Sequence, residues 1–163
     1  MYLKTLSVVT VTFLSLLFVV MAQFMPAATN LTANAAIHDP QIKCLAQAVY
    51  FEARGEPFSG QLAVAQVVHN RVATRDKSYC DVVFEGSHRR NACQFSFACD
   101  GKSDVATEVL AWNQSVSVAS IVRSGNLRDI SGMATHYHAN YVSPKWSKKL
   151  FKTTTIGNHI FYR

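Results

Sequence analysis

The sequence predicts an α+β domain that is mainly helical and carries a small C-terminal β-sheet or hairpin. Three stretches, beginning near residues 40, 59 and 103, have apolar residues at the three-and-four spacing of an α-helix. The last third instead has strand-like segments at residues 135–141 and on both sides of a Gly157-Asn158 turn. A length of 163 residues fits one domain with a single moderate core.

Residues 1–35 have the pattern of an export segment. Lys4 is their only charged residue, and an apolar run from Thr5 to Ala22 follows it. A signal peptide cleaved after Ala22 or after Ala35 fits this pattern, and an uncleaved anchor with a short tether is the alternative. In both cases we expect residues 36–163 to be exported, with membrane contact only through the N-terminal segment if it stays uncleaved.

The first predicted helix has both a start signal and a stop signal. Asp39 is a good N-cap, and Pro40 suits the first helical position because its missing N–H has no partner there. Gly55 followed by Pro57 ends the helix. The stripe that this helix buries consists of Ile42, Leu45, Ala46, Val49 and Ala53.

Glu52 lies at the edge of this apolar stripe, in the last turn of the helix. Partial desolvation there would raise the pKa of the carboxyl, as in the acids of sugar chemistry. The helix dipole disfavours a carboxylate at this end by only about 0.3–1 kcal/mol, so burial must supply most of the shift. The alternative is a solvated glutamate paired with Arg54 or Lys43.

A second helix is predicted from Ser59 to about Val72, and nearly all of its interior positions are apolar. This pattern is typical of a buried central helix that packs against the first one. Arg71 is a polar exception near its end, where it would pair with Glu56 or cap carbonyl groups. Residues 81–84 then form a short helix or strand.

Four cysteines follow the export segment, and an even number in an oxidising compartment indicates disulfides. Cys93 and Cys99 are close enough to close a short loop, which would leave Cys44 to pair with Cys80. Three pairings are possible and the spacing does not choose among them. A zinc site is the other interpretation, although C-x5-C is an uncommon zinc spacing.

Residues 94–97 alternate polar and aromatic side chains, which predicts an extended segment with one face toward the core and one toward a cleft. In the alternative, Phe95 and Phe97 simply fill the core. The third helix is predicted from Ser103 to Arg123, with Trp112 in its buried stripe.

The C-terminal third contains a cluster of groups suited to sugar recognition, because their side chains combine flat apolar faces with hydrogen-bonding edges. An extended segment at 135–141 would place His136 and His138 on one face. An H-x-H pair binds a metal only with a third ligand such as His159. We predict no metal and no cofactor, and we assign sugar binding to Tyr137, His138, Asn140 and Trp146.

Motifs in one order along the chain resemble the SleB/CwlJ family of bacterial cell-wall hydrolases. The likeness covers about residues 40–163. The motifs are Tyr50-Phe51-Glu52-Ala53-Arg54-Gly55-Glu56, residues 60–72, Cys93-Gln94-Phe95-Ser96-Phe97 with Cys99-Asp100-Gly101, Ala134-Thr135-His136-Tyr137-His138, Pro144 with Trp146, and Ile156-Gly157-Asn158-His159-Ile160-Phe161-Tyr162.

This resemblance implies a lysozyme-like catalytic domain at residues 36–163 that cleaves peptidoglycan between N-acetylmuramic acid and N-acetylglucosamine. Glu52 would be the general acid and base, and the product of a lytic transglycosylase would carry a 1,6-anhydromuramyl end. The resemblance also implies that Gln94, Phe95 and Ser96 line the saccharide groove, opposite the C-terminal cluster. Structural support is assigned to Glu56, Arg54 and Arg71.

The formal net charge of +6 suits an anionic partner such as the cell wall. No nucleic-acid-binding motif accompanies it, so we expect an exported, wall-associated monomer in the periplasm or outside the cell. Two alternatives stay open. One is a metal-dependent N-acetylmuramoyl-L-alanine amidase that uses His136, His138 and His159, and the other is a non-catalytic peptidoglycan-binding module.

Overall fold

The structure is a computed structural model, and it describes residues 38–89 and 92–163. The predicted signal peptide or anchor at residues 1–35 lies outside the described residues. Within the described ranges, no helix combines the length and the apolar character that crossing a membrane requires.

The described chain is helical in its first two thirds and ends in a small sheet, which confirms the predicted α+β class. Single turns of 3₁₀ helix occur at Ser96–Cys99 and Lys145–Lys149. The sheet is antiparallel with strand order β1-β3-β2. The helices and strands are α1 (Pro40–Ala53), α2 (Phe58–Arg75), α3 (Tyr79–Val83), α4 (Val109–Arg123), β1 (His136–Ala139), β2 (Lys152–Ile156) and β3 (His159–Tyr162).

Helices α1 and α2 form the centre of the core, as their apolar patterns predict. The Asp39 carboxylate caps α1 by accepting a hydrogen bond from the Gln41 backbone N–H at 2.8 Å. Each fully buried valine or leucine stabilises the fold by roughly 1.5–3 kcal/mol. The large side chains that these two helices bury completely are Leu45, Val49, Val64, Val67 and Val68.

Helix α4 begins at Val109, six residues later than the sequence pattern predicts. The preceding residues stay extended because tertiary hydrogen bonds hold their backbone. The Tyr50 hydroxyl accepts from the backbone N–H groups of Thr107 and Glu108, at 3.2 and 3.1 Å. Trp112 is partly buried against the core, as predicted.

Two disulfides join the cysteines in the pairing Cys44–Cys80 and Cys93–Cys99. The first connects α1 to α3, and the second closes the loop that carries residues 94–98. Within that loop the chain is extended at Phe95 but turns into 3₁₀ helix at Ser96. The extended segment predicted at 94–97 is therefore too long.

The sheet packs on α2 through Phe161 of β3, which is fully buried beside Ala63, Val64 and Val67. The β2–β3 turn is fixed by Glu56, whose carboxylate accepts from the backbone N–H and the side-chain amide of Asn158, at 2.8 and 3.1 Å. These contacts hold strand β1 near the C-terminal end of α1.

Candidate active site

A cleft of about 570 Å³ opens between the C-terminal end of α1, the loop at residues 94–96 and strand β1. The loop, the strand and the 3₁₀ turn at 145–149 contribute most of the predicted sugar-binding residues. The cleft is lined by Phe51, Glu52, Arg71, Gln94, Phe95, Ser96, His136, Tyr137, His138, Ala139, Tyr141, Val142, Trp146 and His159.

Glu52 lines this cleft from the last turn of α1 and is partly buried. The Tyr137 hydroxyl donates a hydrogen bond to Glu52 Oε2 at 3.1 Å. Burial raises the pKa of Glu52, and the Tyr137 hydrogen bond and the charge of Arg71 oppose that shift without cancelling it. The carboxyl therefore keeps its proton to a higher pH than a solvated glutamate does.

Tyr137 is a stable hydrogen-bond donor for this carboxyl. Burial, followed by the charge of Glu52, raises the pKa of Tyr137 well above its ordinary value, so the phenol keeps its proton. Its ring lies edge-on to His159, with centroids 5.0 Å apart, and tilted against Phe161 at 5.9 Å. The strand thus aims the hydroxyl at Glu52, while the ring lines the cleft.

Three aromatic rings of the C-terminal third, those of His136, His138 and Trp146, line one side of the cleft. His136 and His138 lie on one face of β1, as predicted, and both contact the Trp146 ring, with centroids 5.4 and 5.6 Å apart. Tyr162 stacks on His138 at 5.2 Å. Flat rings of this kind offer the apolar faces on which sugar rings pack.

Both ring nitrogens of His138 are engaged by the protein. Because the Ala139 carbonyl at 2.9 Å can only accept, we assign the ring proton to Nδ1, and Nε2 then accepts from the Tyr162 hydroxyl at 3.0 Å. Burial lowers the pKa of His136 and of His159. Across residues 38–89 and 92–163, no three histidine, cysteine or acidic side chains are grouped so as to hold a metal ion.

Several predicted site residues lie away from the cleft lining. Asn140 is exposed, and its backbone N–H donates to the Asn158 carbonyl at 2.7 Å. Arg54 pairs with Glu108 at 3.0 Å and donates to the Tyr50 carbonyl. Glu56 binds Asn158 and not Arg71, so its contacts are structural but the predicted partner is wrong.

Five residues of the cleft lining were not predicted as catalytic, substrate-binding or metal-binding residues: Phe51, Arg71, Ala139, Tyr141 and Val142. Arg71 was expected only as support, yet it lines the cleft while its Nε donates to the Thr135 carbonyl. Tyr141 and Val142 follow β1 at the mouth of the cleft, and Tyr141 is 83% exposed. Arg71 is the only residue with a formal charge in the helix predicted from Ser59 to Val72, which marks it as unusual but does not place it in the cleft.

Residues 55–162 of the chain match the sequence pattern of the cell wall hydrolase family. The chain is 34% identical over 139 residues to a spore cortex-lytic enzyme of Halalkalibacterium halodurans, covering 82% of this chain and 37% of that protein. It is 45% identical over 123 residues to the spore cortex-lytic enzyme of Bacillus subtilis, with coverages of 74% and 36%. The chain thus spans little more than a third of the length of these relatives.

Solved structures of similar fold include two catalytic domains. That of the Bacillus cereus SleB protein has a TM-score of 0.56 at 31% identity, covering 76% of this chain and 89% of that one. That of the germination-specific lytic transglycosylase SleB from Bacillus anthracis has a TM-score of 0.59 at 31% identity, covering 77% and 95%. They confirm the predicted lysozyme-like fold, and with the family match they show that this chain belongs to the cell wall hydrolase family.

Proposed function

We propose that this protein cleaves the glycan strand of peptidoglycan between N-acetylmuramic acid and N-acetylglucosamine, as a lytic transglycosylase with Glu52 as general acid and base. Its relatives are named spore cortex-lytic enzymes, and one structural neighbour is titled a lytic transglycosylase. The observation that carries the proposal is a single carboxyl with a raised pKa in an aromatic cleft.

The single carboxyl favours transglycosylation over direct hydrolysis. Most glycosidases use two carboxyl groups that flank the bond, about 5–5.5 Å or 6.5–9.5 Å apart. Among the described residues that line the cleft, Glu52 is the only acidic one. Glu56, the nearest carboxyl in sequence, is occupied by Asn158 and holds the β2–β3 turn.

The reaction needs one proton donor that becomes a base. Glu52 donates its proton to the glycosidic oxygen as the bond from that oxygen to the muramyl C1 breaks. The muramyl C6 hydroxyl then attacks C1, forms the 1,6-anhydro bond and returns its proton to the Glu52 carboxylate. No water enters the product, and Glu52 ends in its starting protonation state.

The rest of the cleft is suited to holding the glycan. Gln94 and Ser96 bring hydrogen-bonding side chains to one side, and Trp146 and His138 bring flat rings to the other. The two disulfides fit the oxidising compartment in which peptidoglycan lies. We therefore propose an exported, wall-associated enzyme that acts as a monomer.

The test is mass spectrometry of purified peptidoglycan after digestion. We expect muropeptides with 1,6-anhydromuramyl ends, which are lighter than reducing ends by the mass of one water molecule because water is not added. Reducing muramic acid ends would instead identify a hydrolase. Release of stem peptides with intact glycan strands would identify an amidase, and intact walls would identify a binding module.

The variant Glu52→Gln tests the role of the carboxyl, because glutamine has nearly the same shape and cannot donate a carboxyl proton. We expect the rate of turbidity loss of cell walls to fall about 10²- to 10⁴-fold. Glu108→Gln is the matched control, since Glu108 is an exposed glutamate that pairs with Arg54 outside the cleft. Full activity of Glu52→Gln would refute the assignment.

A further inference from the structure

Arg71 is a buried cation whose capacity to donate hydrogen bonds is mostly unused. The side chain projects from α2 into the cleft lining, and the residue is only 4% exposed. Its Nε donates to the Thr135 carbonyl at 2.6 Å, and its guanidinium carbon lies 5.5 Å from the centre of the Phe95 ring. Nη1 is enclosed and has no hydrogen-bond partner among residues 38–89 and 92–163.

No acidic side chain in the described part of the chain forms an ion pair with this cation. The hydrogen bond that Glu52 accepts comes from the Tyr137 hydroxyl and not from Arg71. Burial lowers the pKa of Arg71 to about 10, so the group is still charged at neutral pH. A guanidinium has five N–H donors, and a buried charged donor without an acceptor is destabilising.

We propose that Arg71 binds an acyl oxygen of the sugar held beside Glu52, either a carboxylate oxygen or an amide carbonyl oxygen. The proposal rests on the proposed function for the identity of that sugar. A muramyl residue carries two such groups, the lactyl group and the acetamido group. Carboxylate and amide groups are planar, and their oxygen atoms match the planar fork of a guanidinium better than a hydroxyl does.

Arg71 is therefore a substrate-binding residue, in addition to its contact with Thr135. Helix α2, which carries Arg71, is held in place by its buried residues. Arg71 lines the same cleft as Glu52, and its positive charge acts on that carboxyl. An acyl group bound there would fix the rotation of the sugar ring in the cleft. The orientation of the glycosidic oxygen toward Glu52 would then follow from the acyl contact.

The direct test is a nitrogen-15 NMR titration of the Arg71 side-chain signals in the wild-type protein, which needs no catalysis. The probes are N-acetylmuramic acid, N-acetylglucosamine and glucosamine. A larger shift with N-acetylmuramic acid than with N-acetylglucosamine identifies the lactyl group. Equal shifts with these two and none with glucosamine identify the acetamido group. An Arg71 signal that none of the probes moves, up to their solubility limits, overturns the proposal.

Arg71→Lys provides a second test, because lysine keeps the charge but lacks the fork. We expect kcat/KM on muramyl oligosaccharides to fall about 10- to 100-fold, mainly through KM. Arg75→Lys is the control, one turn further along α2, where Arg75 pairs with Glu85 outside the cleft. A purely structural role predicts a lower thermal midpoint with unchanged KM, which would contradict the proposal. If the wild type cuts no glycan, the NMR titration still decides.

Discussion

Glu52 is held where ionisation is unfavourable, and this affects stability as well as reactivity. Burial raises the pKa of Glu52 in the folded protein above its value in the unfolded chain. The protonated form is therefore favoured by folding. The stability that protonated Glu52 contributes is fully present below the pKa that Glu52 has in the unfolded chain. It is lost as the pH rises through the pKa that Glu52 has in the folded protein.

Glu52→Gln should consequently stabilise the protein near neutral pH. Glutamine has no charge to desolvate, and its side-chain oxygen can still accept the Tyr137 hydrogen bond. The gain is about 1.4 kcal/mol for each unit by which the folded pKa exceeds the unfolded one. Urea unfolding from acid to neutral pH measures it. A gain that is absent at neutral pH, or that grows toward acid, would contradict the raised pKa.

Tyr137 has the opposite influence on the same carboxyl, because its hydroxyl stabilises the carboxylate form. Tyr137→Phe removes that hydrogen bond and should raise the pKa of Glu52 further. Catalysis needs the protonated acid, so the alkaline limb of the kcat/KM profile should move to higher pH. Tyr79→Phe, at a tyrosine that contacts His69 away from the cleft, should leave the limb in place. A shift to lower pH in Tyr137→Phe would refute this argument.

At the scale of elements, the two disulfides differ in what they hold together. Cys44–Cys80 joins two helices across 36 positions of sequence, whereas Cys93–Cys99 closes a loop across 6. Loop-closure entropy gives about 4 kcal/mol of stabilisation for the longer connection and about 2 kcal/mol for the shorter one. The shorter loop, however, carries Gln94, Phe95 and Ser96 into the cleft.

The paired serine variants should therefore rank differently in stability and in activity. Cys44→Ser with Cys80→Ser should lower the free energy of unfolding more, as measured in guanidinium chloride. Cys93→Ser with Cys99→Ser should lose more activity on cell walls at temperatures where both variants are folded. The same rank order in both measurements would show that the shorter loop does not organise the cleft.

The elements also show which features could be predicted from sequence. The start of α1 is set by local signals, the Asp39 cap and Pro40, and it was predicted correctly. The start of α4 was wrong because the Tyr50 hydroxyl, far away in sequence, holds residues 107 and 108 extended. The spacing of α1 put Glu52 at the edge of the apolar stripe but left a solvated glutamate as the alternative, and the family resemblance chose between them. The place of Arg71 in the cleft could not be predicted, because its anchor on the Thr135 carbonyl depends on tertiary packing.

At the scale of the whole molecule, part of the positive charge lies next to the cleft, in the C-terminal third of the chain. The chain has a formal net charge of +6. The 3₁₀ turn that contributes Trp146 to the cleft also carries three lysines, and all of them are exposed. Within the described ranges, none of these three lysines belongs to an ion pair. Such a turn would attract an anionic wall toward the mouth of the cleft.

Lys148→Glu with Lys149→Glu should weaken sedimentation with purified cell walls, most strongly at low ionic strength, because salt screens exposed charges. Cleavage of short soluble glycan strands should be unchanged, since neither side chain lines the cleft. Lys43→Glu with Lys102→Glu makes the same change in net charge at two exposed lysines outside the cleft lining and is the matched control. If both double variants lose the same wall affinity, net charge alone explains the attraction. If only the variant in the 145–149 turn loses it, the turn steers the wall toward Glu52.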